Sequence, residues 1–216
     1  ASGEVGGAVA RALNDSDVCT SLTLLGRRAV AGLEDAVKVE QIVVDTGAED
    51  FEETVEDVAR GHDVAISCIG IGAGSNKMTE EQMIAIDVHL FGKYARGCKA
   101  AGIEIFELLS AVSVDENSVT SRTKFLRVAG RKYMAALDAG FDKLAVFKPG
   151  TIVGNKHTPG WITPFMALIP DSLGWGNIQQ DDIARAFVAH LEKRTADQAH
   201  SVVSYGNAEM KRLIGE

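Results

Sequence analysis

Two glycines close to the amino end, Gly3 and Gly6, have the spacing of a phosphate-binding turn. Glycine permits a tight turn and a close approach of the backbone to a ligand. The unpaired N–H groups in the first turn of a following helix bind phosphate. A turn that merely packs a helix onto a strand would contain the same glycines, so these residues alone leave both interpretations open.

Two arginines, Arg27 and Arg28, follow an apolar run that ends at Gly26. An NAD site usually has an acidic residue after its second strand, where it binds the ribose hydroxyls. Paired guanidinium groups suit a 2′-phosphate instead. The pair therefore favours NADP(H) over NAD(H), and a solvated turn is the alternative interpretation.

Strand-like apolar runs alternate with helical patterns along the chain, which predicts an α/β fold with a mostly parallel sheet. We expect a Rossmann-type doubly wound sheet whose functional loops follow the carboxyl ends of the strands. The predicted strands are 22–25, 41–44, 63–69, 103–109, 144–147 and 201–205.

Helical periodicity is clearest in 79–100 and 181–193, and Asp181 and Asp182 suit the start of the second helix. The stretch 151–180 is rich in Gly, Pro and Trp, and predicts a small, loop-rich carboxyl-terminal lobe for a substrate or partner. We expect 1–216 to form a single dinucleotide-binding domain. The apolar positions of the first helix would be Met83, Ile86, Leu90, Tyr94 and Cys98.

The first strand expected of such a fold is missing from this sequence, because 1–7 run directly into a helical pattern at 8–13. That strand normally lies at the centre of the sheet. We expect the natural protein to begin earlier, with that strand and a glycine ahead of Ala1. Targeting cannot be predicted from such a start.

Composition is that of a globular chain, since 46% of the 216 residues are hydrophobic. A net charge of −8 repels phosphate backbones and anionic lipids, which argues against nucleic-acid binding. No apolar run approaches the roughly 20 residues of a membrane span. Cys19, Cys68 and Cys98 lack metal-ligand spacing and predict free, buried thiols in a reducing, intracellular and cytoplasmic setting.

Eight short motifs occur in an order that resembles the atypical short-chain dehydrogenase/reductases, across nearly the whole chain. The motifs are Ala-Ser-Gly-Glu-Val-Gly at the start, Leu-Leu-Gly-Arg-Arg, Val-Val-Asp45, Gly61-His62-Asp63-Val, Cys68-Ile-Gly70, Leu-Leu-Ser110, Phe-Lys-Pro149-Gly150 and Ile-Pro170-Asp171-Ser172.

The resemblance implies an NADP(H) site and assigns residues to it. Gly3 and Gly6 would line the pyrophosphate, Arg27 and Arg28 the adenosine phosphate, and Asp45 the adenine. Cys68 to Gly70 would line the adenosine ribose, and Pro149 and Gly150 would border the nicotinamide. The full predicted set is Ser2, Gly3, Glu4, Val5, Gly6, Arg27, Arg28, Asp45, Cys68, Ile69, Gly70, Ser110, Pro149 and Gly150.

Reductases of the resembled superfamily pair a proton-donating Tyr with a Lys four residues later, together with a Ser that orients the carbonyl. That spacing places both groups on one helix face. The residues four positions after Tyr94, Tyr133 and Tyr205 are not lysines, so the motif is absent. Our alignment instead places 125–129, which begin with Phe125, at the motif, and Ser110 or nearby Ser113 remains.

Three functions therefore remain open, one of which is a scaffold without a cofactor, in which Arg27, Arg28 and the glycine pattern would be vestigial. We favour a protein that binds NADP(H) as a structural or sensing ligand and acts through a protein partner. The main alternative is a reductase of a small carbonyl compound with Ser110 and a different proton donor, for which Lys124, His157 and a water positioned by Ser110 are the candidates.

Lys124 belongs to a basic face with Arg127, Arg131 and Lys132, which we expect to be solvated. A lysine of this face that reached into the pocket would instead replace the ribose contact or act as a general acid.

Overall fold

The computed structural model describes residues 2–154, 174–193 and 201–216, and the chain divides into two compact units. One unit comprises Ala1–Thr46, Pro149–Gln198 and Tyr205–Glu216, and the other comprises Gly47–Lys148 and Ala199–Ser204. Whether 1–216 form one domain stays a prediction. Much of the expected lobe at 151–180 lies outside the described residues, as does the motif that contains Pro170.

The helices are α1 (Glu4–Asp15), α2 (Phe51–Ala59), α3 (Glu80–Ile84), α4 (Phe91–Ala100), α5 (Lys124–Asp138), α6 (Gln180–Glu192) and α7 (Asn207–Leu213). The strands are β1 (Leu22–Gly26), β2 (Val39–Val43), β3 (Val64–Ser67), β4 (Ile105–Leu109), β5 (Lys143–Phe147), β6 (Thr151–Val153), β7 (Asn177–Gln179) and β8 (Ser201–Tyr205).

In the first unit, β1 and β2 form a parallel pair, with Leu22 opposite Val39 and Gly26 opposite Val43. The apolar face of α1 contributes Ala10 to a small core with Leu24 of β1. Helix α6 packs against α1. The short strands β6 and β7 form a second parallel pair.

In the second unit, four strands form one sheet in the order β3–β4–β5–β8. Strands β3, β4 and β5 are parallel, so their carboxyl ends lie along one edge. Phe106 of β4 is fully buried, and its ring stacks on Phe141 with ring centroids 4.4 Å apart. Helix α4 adds Phe91 to this aromatic core, with an edge-to-face contact to Phe106.

The predicted α/β architecture with a parallel sheet and flanking helices is confirmed. Each of the six predicted strands corresponds to an observed one, although β2 begins two residues earlier than expected. Within 151–180, the short strands β6 and β7 pair at the two described ends, and the loop-rich lobe stays a prediction. Both expected acidic residues, Asp181 and Asp182, lie in the first turn of α6.

The helix predicted at 79–100 forms, but residues 85–90 between α3 and α4 make a π-helical segment. The wider i to i+5 spacing of a π turn changes which side chains face the core. Ile86, Leu90 and Tyr94 are therefore only half-buried, contrary to the predicted pattern. The buried positions between Met83 and Cys98 are instead Asp87, Phe91, Gly92, Ala95 and Gly97.

None of the helices in the described segments is long and apolar enough to cross a bilayer. Among the same residues, no group of three or more His, Cys, Asp or Glu side chains could hold a metal ion.

Candidate functional site

The amino end of α1 has the form of an anion-binding helix terminus. Gly3 is the N-cap in an extended conformation, and no side chain caps the helix. The N–H groups of the first turn have no partner within the helix. A Cβ atom added to Gly3 would meet no atom within 4 Å, so the backbone is open on that side. Glu4 occupies the same turn, and its carboxylate complements the helix dipole.

The predicted adenosine-phosphate residues follow the carboxyl end of β1. Arg27 and Arg28 are exposed on the bend directly after Gly26. Neither arginine has a partner among the described residues. Asp45 lies at the same edge, because the Val44 N–H donates to the Gly26 carbonyl over 3.0 Å. The residues that follow these two strand ends thus include two arginines and one aspartate.

Gly150 has a packing role that needs no ligand. Its N–H donates to Oδ1 of the fully buried Asn207 over 3.0 Å. The Asn207 amide in turn donates to the Gly176 carbonyl over 2.8 Å. A Cβ atom on Gly150 would lie 2.7 Å from that same carbonyl oxygen. This close approach explains the glycine after Pro149.

In the second unit, Lys132 of α5 lies at the carboxyl ends of β3 and β4. Its ammonium donates to the carbonyl of Ile69, two residues beyond β3, and to that of Leu109 over 3.4 Å. The ammonium also lies 5.4 Å from the ring centroid of Phe91. Lys132 is buried, so the expectation that it belongs to a solvated face is wrong.

The sequence contains a signal for this burial. Lys132 is four residues after Val128 and four before Ala136, and both of those side chains are completely buried. Lys132 therefore shares their face, whereas Arg131 is exposed. The residue four positions before this buried lysine is valine, which cannot exchange a proton.

Asp87 of the π-helical segment is the only acidic group that forms an ion pair with Lys132 among the described residues. Its Oδ1 lies 4.0 Å from the lysine Nζ and has no hydrogen-bond partner there. Burial raises the pKa of Asp87, and the ammonium partly opposes that rise. Burial likewise lowers the pKa of Lys132, and Asp87 partly opposes that fall.

Gly70 lies against this pair and is exposed. A Cβ atom added to Gly70 would stand 3.9 Å from Asp87 Oδ1 and 4.0 Å from Lys132 Nζ. Because Gly70 has no side chain, it does not fill the position that lies within 4.0 Å of both charged groups. Sequence reasoning singled out Gly70 but not Asp87, because an aspartate within an apolar helical stripe carries no motif.

The other predicted residues of this unit lie at the same strand ends. Burial raises the pKa of the Cys68 thiol to about 12, and the thiol is therefore protonated at neutral pH. Ser110 directly follows β4, and its N–H donates to the Phe147 carbonyl over 2.7 Å. Its hydroxyl has no partner in the described part of the chain.

Of the two proposed substitute proton donors, the structure describes Lys124. The Lys124 ammonium donates to the Met78 carbonyl over 2.6 Å. His157 lies outside the described residues. The neighbouring Arg127 forms an ion pair with Glu80, with a 2.9 Å hydrogen bond from Nε to the carboxylate.

The three tyrosines are engaged elsewhere. The Tyr94 hydroxyl donates to the Ile66 carbonyl over 3.1 Å, and burial raises its pKa well above the usual value. The Tyr133 ring lies 4.8 Å from the Lys148 ammonium. The ring of Tyr205 makes an edge contact with His190, with centroids 5.4 Å apart.

The fold of this chain resembles that of many nucleotide-dependent enzymes. The oxidoreductase ylbE from Lactococcus lactis is 15% identical with a TM-score of 0.67, over 100% of this chain and 94% of that one. UDP-glucuronic acid 4-epimerase from Bacillus cereus, solved in complex with NAD, is 14% identical with a TM-score of 0.68, over 100% and 82%. At these identities the likeness concerns the fold.

Sequence comparison gives a more specific relationship. No protein-family model matches the chain. The mitochondrial protein FMP52 of Coccidioides immitis is 26% identical over 81 residues, which are 38% of this chain and 32% of that protein. Protein HTATIP2 of Rattus norvegicus is 31% identical over 183 residues, which are 82% of this chain and 72% of the rat protein. The extent and identity of that match show that this chain belongs to the HTATIP2 family of atypical short-chain dehydrogenase/reductases.

Proposed function

We propose that this chain binds a nicotinamide dinucleotide and prefers NADP(H) to NAD(H). The observation that carries the preference is the pair of exposed guanidinium groups, Arg27 and Arg28, without an acidic partner among the described residues. Guanidinium groups bind phosphate through charge-assisted hydrogen bonds. A 2′-phosphate is the part of NADP(H) that NAD(H) lacks.

Two further features support dinucleotide binding. The uncapped N-terminus of α1, with open space beside Gly3, suits a pyrophosphate. The structural relatives include proteins solved with NAD, among them the epimerase and MoeE5 in complex with UDP-glucose and NAD. Their cofactor supports a dinucleotide here, and the arginines support the phosphorylated form.

The role that we favour is regulatory, with the cofactor as a structural or sensing ligand and a protein partner as the target. Carbonyl reduction needs a proton donor beside the hydride. Our alignment places Phe125 at the phenol of the superfamily motif, and the residue four positions before the buried lysine is Val128; neither side chain can donate a proton. The free thiols of Cys19, Cys68 and Cys98 support an intracellular, cytoplasmic setting.

A reductase of a small carbonyl compound is the second candidate, and one observation favours it. The Ser110 hydroxyl lies at the carboxyl end of β4 without a partner in the described segments, so it is available to a substrate oxygen. The proton would then come from a water held by Ser110, from Lys124 or from His157. Hydride transfer itself is the chemistry of the cofactor.

Thermal unfolding with added cofactor tests the proposal. A ligand at 100 times its Kd stabilises the folded state by about 2.7 kcal/mol, which for a chain of this size raises Tm by about 5–10 °C. We expect NADPH to produce this shift at a lower concentration than NADH. In the variant with Arg27→Ala and Arg28→Ala, the NADPH concentration that gives the same Tm shift should rise roughly 10- to 100-fold. The NADH concentration should change little.

A matched control is Arg60→Ala, which removes an exposed guanidinium that is held by Glu56 at 2.6 Å on the surface of α2. It should alter neither titration. Equal losses of NADPH and NADH binding in the double variant would refute the 2′-phosphate assignment. Oxidation of NADPH by any member of a panel of aldehydes and ketones, abolished by Ser110→Ala, would favour the reductase.

A further inference from the structure

We infer that Arg11 of helix α1 is a third phosphate-binding arginine of the first unit, and that it contacts the 2′-phosphate of NADP(H) together with Arg27 and Arg28. This role, which rests on the proposed function, goes beyond it in one respect. It makes a residue in the middle of α1, outside the glycine-rich turn and outside every sequence motif, a determinant of the choice between NADP(H) and NAD(H).

The guanidinium of Arg11 lies over Gly7, one helical turn nearer the N-terminus of α1. A Cβ atom added to Gly7 would stand 3.4 Å from Nη1 and 3.9 Å from Nη2 of Arg11. Side chains of a helix are inclined toward its N-terminus, and the missing side chain of Gly7 leaves room for this one to lie flat. The Arg11 cation is therefore directed toward the end of α1 that begins at Gly3.

The same guanidinium lies beside the segment that contains the other two arginines. The Cβ position of Gly7 is also 3.8 Å from Cγ1 of Val30, which follows Arg28 by two residues. One point next to α1 is thus within 4 Å of both Arg11 and Val30. The end of the Arg11 side chain and the residues that follow β1 therefore lie next to each other.

The backbone of Val30 is held in place by strand β2. Its N–H donates to Oε1 of Gln41 over 2.7 Å, and its carbonyl accepts from Nε2 of the same side chain over 3.3 Å. The Val30 side chain is 4% exposed and belongs to the same core as Ala10, the residue before Arg11. This attachment limits how far the bend at 27–28 can move from Arg11. Groups that are positioned before a ligand arrives lose less free energy when it binds.

The charge of Arg11 is not neutralised within the described part of the chain. The side chain is exposed, and it forms no hydrogen bond or ion pair with a described residue. Glu4, the acidic residue in the first turn of the same helix, makes no ion pair with it there either. Neighbouring guanidinium groups repel one another, and an anion between them removes that repulsion. A phosphate group offers three acceptor oxygens and up to two negative charges to such a set of donors.

Position selects the 2′-phosphate rather than the pyrophosphate. Arg11 is eight residues beyond Gly3, whereas its guanidinium adjoins Val30, close in sequence to Arg27 and Arg28. Guanidinium groups bind phosphate through two parallel hydrogen bonds, which several arginines can share around one group. Arg11 therefore adds to the preference for the phosphorylated cofactor.

Calorimetric titration of the unaltered chain and of Arg11→Gln tests this role with two pairs of ligands. The pairs are NADPH with NADH and 2′,5′-ADP with 5′-AMP, and the members of each pair differ only in the 2′-phosphate. We expect NADPH and 2′,5′-ADP to bind Arg11→Gln about tenfold more weakly, because a charge-assisted hydrogen bond is lost. The affinities for NADH and 5′-AMP should stay the same.

Two further variants separate a direct contact from a change in overall charge. Arg212→Gln removes the same charge from an exposed helix position of the same unit, where the guanidinium is held by Glu209 at 2.7 Å. It should change none of the four affinities. Arg11→Lys keeps the charge but not the planar fork of donors, so we expect a smaller loss than in Arg11→Gln.

The possible results distinguish the role of Arg11 from dinucleotide binding itself. Binding of NADPH by Arg11→Gln at the original affinity would overturn the role and leave the proposed function intact. Equal losses for NADPH and NADH, with 2′,5′-ADP unchanged, would also overturn it, because the contact would then be to the pyrophosphate. An equal effect of Arg212→Gln would overturn it as well. Failure of the unaltered chain to bind either NADPH or NADH would refute the proposed function.

Discussion

The ion pair between Asp87 and Lys132 gives a quantitative prediction about stability. Replacing Lys132 with Met keeps an unbranched side chain against Phe91 but removes the ammonium from Asp87 and from two backbone carbonyls. Removing one partner of a buried ion pair typically costs about 3–5 kcal/mol. Because both side chains are only 8% exposed, we expect Lys132→Met to fall within that range.

The double variant with Asp87→Leu and Lys132→Met should recover much of this loss. Apolar replacement of a whole buried pair is often neutral or stabilising. The carbonyls of Ile69 and Leu109 would still lack their donor, at about 1 kcal/mol each. We therefore expect a residual loss of about 2 kcal/mol, so that the double variant is about 1–3 kcal/mol more stable than Lys132→Met alone and the two substitutions couple favourably.

Urea unfolding of the four proteins in this cycle measures the coupling, and pH adds a second readout. Burial holds the pKa of Asp87 above its unfolded value, and more so without the ammonium. Above the raised pKa of the folded state, such a carboxyl lowers the free energy of unfolding. This loss of stability disappears as the pH falls to the pKa that the carboxyl has in the unfolded chain. Lys132→Met should therefore regain stability relative to the unaltered chain between pH 7 and about pH 4. Additive substitutions with no pH dependence would refute the reasoning.

Three other predictions concern single positions. Gly150→Ala places a methyl group 2.7 Å from the Gly176 carbonyl oxygen, so we expect a loss of about 1–3 kcal/mol in urea unfolding; an unchanged midpoint would contradict the packing role. Burial raises the pKa of Cys68 and Cys98 to about 12. Both thiols should therefore react with Ellman's reagent about a thousandfold more slowly than an unperturbed thiol. Rapid reaction of either thiol in the folded protein would contradict this prediction. Ser110→Ala should leave Tm within about 1 °C, because its hydroxyl lacks a partner in the described chain, and a larger fall in a thermal scan would reveal a structural role.

The alternation of apolar runs with helices was sufficient to predict the sheet. Residues 105–108 are all buried, as expected of a strand covered by helices on both faces, and β4 lies between β3 and β5. The short pair β6 and β7 was missed because three-residue strands show no periodicity. Their pairing depends on Asn207, which binds the backbone at Gly150 and Gly176 from far along the chain.

The candidate site was predicted less completely than the sheet, and Asp87 and Lys132 show why. Gly70 and Ser110 could be predicted, because each is the last residue of a short sequence motif at the end of a predicted strand. Asp87 and Lys132 are 45 positions apart in sequence, and only the packing of α5 against the π-helical segment brings them within 4.0 Å. The π turn itself follows from no residue type in 85–90, and it moved Asp87 onto the buried face.

The most direct test of the central claim is calorimetric titration of the unaltered chain with NADPH and with NADH. We expect one NADPH to bind per chain, with an affinity at least tenfold higher than that for NADH, because Arg27 and Arg28 would contact the 2′-phosphate. Equal affinities would contradict the preference for the phosphorylated cofactor. Absence of heat with both ligands, at concentrations where the chain is folded, would contradict dinucleotide binding altogether.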